Sequence, residues 1–251
     1  MKRYFSVGML FCFVNILICI CMAANAQNTS LNNPTIDQQS FVNMGGREVT
    51  DITASPINSN NAGYSDGSAF LLPSWTKGRV VFKNKTRYEG ALRFDVINNE
   101  LQFSNSNNKP NRFAEPIISF LLFDSLNNGT ASFYFQNGYP NFGSHNNQTF
   151  YQVLSIGDNV HFIKFLTRKP REVYTYNFTS AYELKNSEDW FIYDVPRNKL
   201  IYVNPKSSSV QKALRDFIPD INSFLKDASK KTISEEEMIL LCRNANKTKG
   251  T

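Results

Sequence analysis

The chain has 251 residues, of which 41% are apolar and 14% are aromatic. This apolar content is sufficient for a globular core, and the aromatic content favours β-structure because flat rings pack well across neighbouring strands. The formal net charge is +6, but the lysines and arginines are spread along the chain among acidic residues. Nucleic-acid-binding domains usually gather basic residues on one face, so this pattern argues against that class.

The N-terminus has the pattern of an export signal, predicted to span residues 1–26. Met1-Lys2-Arg3 supply positive charge, residues 7–22 are almost entirely apolar, and Ala24-Asn25-Ala26 is a small-x-small triplet suited to cleavage. We therefore expect an exported protein, periplasmic or at the cell surface, with no membrane span in the mature chain. The alternative is that the apolar run is retained as an anchor, although it is slightly short for a spanning helix.

Of the four cysteines, Cys12, Cys19 and Cys21 lie inside the predicted signal. Only Cys242 remains in the mature chain, so no internal disulfide can form. It follows an apolar helical stretch, and Arg243 is its only basic neighbour in sequence. Because a reactive thiol needs a basic or histidine-rich surrounding, the sequence predicts a buried, inert thiol.

Residues 27–66 are rich in Asn, Ser, Thr, Gly and Pro, and their scattered hydrophobes follow neither the helix nor the strand period. Such a segment buries too little apolar area to offset the entropy of ordering. We expect a flexible tail or linker, in which residues 41–44 are the best candidates for a short docked strand.

Residues 67–206 are predicted to form an antiparallel β domain, because short apolar and aromatic clusters alternate there with turn residues. Leu92, Phe94 and Val96 alternate with polar residues, as expected of a strand with one solvated face. The expected strands are 80–82, 88–96, 101–103, 117–122, 131–135, 150–154, 160–165, 174–178, 190–193 and 199–203.

Several connections between these strands are short. Asn84-Lys85, Asn98-Asn99, Gly157-Asp158-Asn159 and Pro196-Arg197-Asn198 are turn sequences that only antiparallel neighbours can use. No helical pattern long enough for a parallel crossover lies between strands. The predicted fold is an antiparallel meander that forms a sandwich or a partly closed barrel.

Residues 207–246 are expected to form a helical segment that packs on the β domain. Ser207-Ser208-Ser209 offers an N-cap for a helix over 210–218, and Pro219 can start a second helix. A third helix begins after Ser234, with Glu237 at the position of a capping box. The acidic run 235–237 is therefore assigned to helix capping and not to a metal site.

Residues suited to catalysis are few. The mature chain has two histidines, His145 in an Asn-rich loop and His161 on a predicted strand, and neither has ligand-spaced neighbours. We predict no metal site and no cofactor. Paired carboxylates for glycan hydrolysis remain open, since pairing across a cleft is not visible in sequence. The available acids are Asp95, Glu100, Asp124, Glu183, Glu188 and Asp189.

Two tryptophans suggest different roles. Trp190 runs into Phe191-Ile192-Tyr193 and is expected in the core. Trp75 lies just before the first strand, where its ring can stack on a ligand at the mouth of the sheet. Trp75 is therefore the candidate ligand-binding residue.

The stretch 71–103, LLPSWTKGRVVFKNKTRYEGALRFDVINNELQF, resembles a pattern in uncharacterised exported β-rich proteins of Bacteroidota. There a Trp or Tyr, Lys-Gly, a strand, Tyr-x-Gly and an Asn-Glu-Leu turn follow in that order. The likeness extends more loosely through residues 150–154 and the closing helices, and it brings no activity with it. In such organisms Asp-Ser/Thr-aliphatic triplets accept O-glycans, which makes Ser125 a candidate acceptor.

The leading hypothesis is a non-enzymatic binding or structural module of the bacterial cell envelope. One alternative is a carrier that encloses a lipid or other apolar ligand within the sheet, and another is a glycan-acting hydrolase. The partner is accordingly expected to be an envelope protein, a glycan or an apolar molecule. The sequence leaves open strand order, closure and oligomeric state.

Overall fold

The described part of the chain contains eleven strands and three helices in a computed structural model. The residues described are 47–50, 52–56, 69–105, 109–124, 131–174, 180–225 and 232–247, all within the unit Thr35–Thr251. The predicted export signal 1–26 and the candidate glycan acceptor Ser125 lie outside them. Among the described helices, none has the length and apolarity needed to cross a bilayer.

All eleven strands belong to one antiparallel sheet, in the order β1-β5-β4-β3-β2-β6-β7-β8-β9-β10-β11. The strands are β1 (Ala54–Pro56), β2 (Thr76–Phe82), β3 (Arg87–Asp95), β4 (Glu100–Ser104), β5 (Pro110–Phe113), β6 (Ile117–Asp124), β7 (Ala131–Gln136), β8 (Tyr151–Ser155), β9 (Val160–Tyr174), β10 (Ser180–Asp194) and β11 (Lys199–Val203). The helices are α1 (Ser207–Leu214), α2 (Ile221–Phe224) and α3 (Glu235–Ala245). The predicted mainly antiparallel fold with C-terminal helices is confirmed.

The first half of the sheet is curled. Strands β5 and β6 are joined by residues 114–116 alone, yet β5 pairs with β4 and β6 pairs with β2, on opposite sides of the β2–β4 meander. In a flat sheet these two strands would lie about 19 Å apart. A connection of this length spans at most about 14 Å. The β2–β4 meander must therefore bend to bring β5 near β6, although the sheet does not close into a barrel.

Three apolar clusters follow from strand alternation. The curl core fills the bent half, and the helix core lies between the three helices and the same face of β9 and β10. An outer cluster covers the opposite face. Their central members are Phe94, Phe120 and Phe135 for the curl core, Phe162, Ile192 and Met238 for the helix core, and Tyr151, Ile163 and Phe191 for the outer cluster.

The short turns are confirmed and have a clear backbone basis. Asn99 and Asn198 adopt positive φ values of 52° and 48° in the β3–β4 and β10–β11 connections. Asn tolerates this left-handed region better than most residues, because its side chain can bond nearby backbone groups. The Asn-rich turns thus fix the register of two hairpins.

Several strand predictions differ from the structure. Strand β1 lies inside the segment 27–66 that was expected to be flexible, and β5 lies where no strand was predicted. Strands β9 and β10 each extend over 15 residues, far beyond the predicted 160–165 and 190–193. The outer parts of these strands contain polar residues such as Lys169 and Lys185, so they lack the apolar pattern by which strands are predicted. The two strands nevertheless pair along their whole length.

The helix predictions are confirmed for α3 and wrong for the cap of α1. Ser234 accepts a hydrogen bond from the Glu237 amide at 3.2 Å, and the Glu237 carboxylate accepts one from the Ser234 amide at 2.8 Å, completing the capping box. In contrast, α1 begins at Ser207, its N-cap is Lys206, and no side chain caps it. The serines lie inside the first turn, and Ser209 Oγ accepts from the Asn204 amide instead.

Candidate ligand-binding cleft

A cleft of about 520 Å³ opens where the β3–β4 turn, the β5–β6 connection and the loop 137–149 meet. This volume falls within the range of small-molecule sites in proteins. We call it the amide-lined cleft, because five of its lining residues carry side-chain amides. Its lining comprises Asn98, Asn99, Glu100, Leu101, Arg112, Phe113, Ala114, Glu115, Pro116, Ile117, Asn137, Asn146, Gln148, Thr149 and Phe150.

The turn that forms one wall is held from both sides. The buried Asp95 carboxylate accepts hydrogen bonds from the amides of Ile97 and Asn98, at 2.9 and 3.0 Å. The Asn99 side chain bonds the backbone N–H and C=O of Phe150. These bonds hold the wall in one conformation before any ligand arrives.

The loop 137–149 forms the facing wall and is equally constrained. Asn137 Nδ2 donates to the Ile117 carbonyl at 2.8 Å, and the Gly138 amide donates to the Asn147 carbonyl at 2.8 Å. The Asn146 amide donates to Thr149 Oγ1 at 3.1 Å. Pre-ordered walls reduce the entropy lost on binding, which favours affinity.

An ion pair lies within the cleft. Arg112 on β5 contacts the Glu100 carboxylate on β4. Burial raises the pKa of Glu100 above its usual value, and the Arg112 charge partly offsets this effect. Exposed Glu115 adds a second carboxylate to the lining. The cleft therefore offers hydrogen-bond acceptors and donors with fixed positions.

The lining also has an apolar part, made of Leu101, Phe113, Ile117 and Phe150. Phe113 is half-buried and packs against Phe103 with ring centroids 4.5 Å apart. A surface that combines amides, an ion pair and hydrocarbon matches a ligand with hydroxyl groups and a C–H face. That is the chemistry of a sugar ring.

Gln148 is available to such a ligand. Its side chain is exposed, lines the cleft and has no hydrogen-bond partner among the described residues. Most other amides in the lining already bond to the backbone, as Asn99 and Asn137 do. Gln148 and Glu115 are consequently the lining side chains that can change partners without loosening the walls.

Both histidines of the chain attach the loop 137–149 to the outer cluster. The His145 ring lies 4.2 Å from the Phe165 ring, and its Nδ1 is 2.8 Å from the Tyr151 hydroxyl. His161 on β9 places its Nδ1 3.2 Å from the Tyr139 hydroxyl. Sequence reasoning treated the two histidines separately, and the structure brings them to one aromatic cluster on one face.

Burial favours the neutral form of both histidines. It lowers the pKa of His145, which the Asp189 carboxylate raises by a smaller amount. Burial also lowers the pKa of His161, opposed by a hydrogen bond to the Gly157 backbone. The two rings therefore act here as neutral packing and hydrogen-bonding groups.

Trp75 contacts Arg93 in the structure. The Arg93 guanidinium lies over the rings of Phe70 and Trp75, 3.5 and 4.4 Å from their centroids. Both contacts are cation–π interactions, which stabilise a half-buried charge. Trp75 does not line the amide-lined cleft, and its predicted role as a ligand contact remains a prediction.

Trp190 is buried as expected, and its Nε1 donates to Glu188 at 3.0 Å. Three of the available acids have structural partners: Asp95 holds a turn, Glu188 bonds Lys164, and Glu100 bonds Arg112. The side chains of Asp124 and Glu183 lie outside the description. Within the described ranges, no three His, Cys, Asp or Glu residues are grouped so as to hold a metal ion.

Comparisons of the chain with protein-family models, curated proteins and solved structures give no match. The site is therefore assigned from its own geometry. Sequence reasoning identified the Asn98-Asn99 turn and Glu100 but missed Arg112, Asn137 and Gln148. The Asn-rich composition of 137–149 was the available signal, although it carried no information on what the loop faces.

Proposed function

We propose that the protein is an exported, non-catalytic binding module of the bacterial cell envelope that takes a carbohydrate in the amide-lined cleft. The observation that carries this proposal is the composition of the cleft, which is lined by amides, an ion pair and apolar side chains together. Export and an envelope location rest on the N-terminal sequence pattern and on the resemblance of residues 71–103.

The packing of the curl core favours this proposal over a carrier that encloses an apolar ligand. Phe94, Phe120 and Phe135 lie in mutual contact, with ring centroids 4.7 to 5.1 Å apart. Rings at these distances occupy the interior themselves. A ligand is then expected at the open cleft and not inside the curl.

A glycan array probed with the full-length chain, expressed with its own N-terminus and purified after export, tests the proposal. The expected result is retention of a defined group of glycans, followed by calorimetry on the best of them. Gln148→Ala and Glu115→Ala should each weaken binding about fivefold to tenfold through a lost hydrogen bond. Failure to retain any glycan overturns the proposal.

Asn141→Ala provides the matched control. Asn141 is an exposed amide on the same loop, but it does not line the cleft. Its removal should leave glycan affinity unchanged. Equal losses in Asn141→Ala and Gln148→Ala would indicate a general effect on the loop and would contradict the cleft as the site.

The second candidate function is hydrolysis of the bound glycan, favoured by Glu100. A carboxyl group with a raised pKa inside a glycan-sized cleft is suited to general acid catalysis. Against this, Arg112 contacts the same carboxylate and favours its charged form. Incubation of the retained glycan with the protein should release no new reducing ends, and release that disappears in Glu100→Gln would establish the hydrolase instead.

A further inference from the structure

A second pocket, of about 320 Å³, is lined by members of the curl core and by residues of β8, β9 and β10. Its walls include the apolar side chains of Leu71, Val96, Phe133 and Leu166, and it shares no lining residue with the amide-lined cleft. We call it the lysine pocket. The remaining lining is polar: Gln152, Lys164, Thr167, Arg168, Asn186, Ser187 and Glu188.

Gln152 and Lys164 are buried polar residues in this pocket, with 9% and 7% of their surface exposed. They are directly opposite each other on β8 and β9, so their side chains emerge on the same face. Polar groups at such depth almost always have hydrogen-bond partners. The hydrogen bonds of Gln152 and Lys164 therefore show whether polar groups in the pocket are left for a ligand to bind.

Lys164 is largely satisfied. Its ammonium group contacts Glu188 Oε2 at 3.2 Å and a carboxylate oxygen of Glu235 at the start of α3. An ammonium group has three N–H donors, so one remains. The two carboxylates more than balance its charge, and only Arg168 adds a further positive charge to the lining. The pocket is thus suited to an uncharged ligand.

Gln152 is not satisfied. Its side-chain amide has no hydrogen-bond partner among the described residues, and it lines the pocket. Such an amide offers two N–H donors and a carbonyl acceptor. Neither atom of the amide is fully enclosed without a partner, so both ends of the amide are accessible to a ligand in the pocket.

We infer that the lysine pocket binds a small, neutral acyl amide. The ligand carbonyl accepts hydrogen bonds from Gln152 Nε2 and the remaining Lys164 N–H, the ligand N–H donates to Gln152 Oε1, and the acyl chain packs on Leu166 and its apolar neighbours. This inference is independent of the proposed glycan cleft. The same chemistry occurs in N-acetylated amino sugars and in acylated amino-acid amides.

Titration of the ¹⁵N-labelled full-length chain with two probes distinguishes these sources. N-acetylglucosamine and N-acetyl-leucine amide are each followed through the side-chain NH₂ signals of Gln152, assigned by their loss in Gln152→Leu. Saturable shifts with either probe support the inference and identify the source. Shifts with glucose of equal size, or no shift with either probe at its solubility limit, overturn it.

Gln152→Leu should weaken probe binding at least about tenfold, because it removes the donor and the acceptor that bond the probe. Gln102→Leu is the matched control. Gln102 is 5% exposed, but its Oε1 accepts a hydrogen bond from Arg93 at 3.2 Å. The control should lower Tm and leave probe binding unchanged. Probe binding that is as tight in Gln152→Leu as in the wild type would contradict the inference.

Discussion

Asn99 and Phe150, 51 positions apart in sequence, are joined by two hydrogen bonds between one side chain and one backbone residue. The Phe150 amide donates to Asn99 Oδ1 at 2.7 Å, and Asn99 Nδ2 donates to the Phe150 carbonyl at 3.0 Å. Since Phe150 directly precedes β8, this pair ties the curl to the second half of the sheet. It also positions two parts of the amide-lined cleft.

Replacing Asn99 should therefore affect stability through two separable terms. Asn99→Ala loses both hydrogen bonds and leaves alanine, which disfavours the left-handed region, at φ 52°. Together these effects should cost about 3 kcal/mol. Asn99→Gly loses the bonds but tolerates the backbone, and should cost about 1–2 kcal/mol. Urea unfolding measures both, and equal losses would show that the backbone conformation contributes nothing.

Acid should loosen the loop 137–149 through His145 and His161. Burial places their folded-state pKa values below the unfolded value of 6.5. The unfolded chain then binds more protons, so stability falls as pH drops below about 6.5. We expect the urea midpoint to decrease between about pH 7 and pH 5, before most carboxylates titrate.

The double variant His145→Gln, His161→Gln separates the contribution of the two histidines to the pH dependence of stability from that of the acidic residues. It should be less stable at neutral pH, because the contacts with Tyr151 and Tyr139 are altered, but its urea midpoint should change little over the same pH interval. A slope as steep as that of the wild type would assign the pH dependence to groups other than the histidines.

The contact between Lys164 and Glu235 joins α3 to the sheet. Glu235→Gln weakens this mostly buried pair while Glu188 continues to neutralise Lys164, so we expect a loss of about 1–3 kcal/mol in urea unfolding. Glu236→Gln is the matched control, because Glu236 lies in the same first turn of α3. A control loss as large as that of Glu235→Gln would assign the effect to the helix dipole.

Cys242 should report global unfolding. The residue is fully buried in the helix core, and burial raises the pKa of its thiol well above the usual value. A thiol reagent should therefore react only through the unfolded chain, at a rate that rises with urea as the unfolded fraction does. Rapid reaction in the absence of urea would contradict the buried position.

Local chemistry predicted much of the secondary structure. The Ser234–Glu237 capping box, the Asn98-Asn99 turn and the alternation at Leu92 and Phe94 depend on neighbours within a few residues. Their physical causes are therefore visible in the printed sequence. The Ser207–Ser209 cap failed because the chain before α1 is fixed by tertiary contacts, and propensity alone does not set where a helix begins.

Tertiary structure alone decided which distant residues meet. The curl follows from β5 and β6 pairing on opposite sides of the same meander, and this pairing brings Arg112 to Glu100 and Asn99 to Phe150. The juxtaposition of Gln152 with Lys164 depends in the same way on the register of β8 and β9. Sequence thus determined the strand character, the turns and the capped helix, because those depend on short-range sterics and hydrogen bonds. Both pockets depend on contacts between residues far apart in the chain, which only the folded sheet establishes.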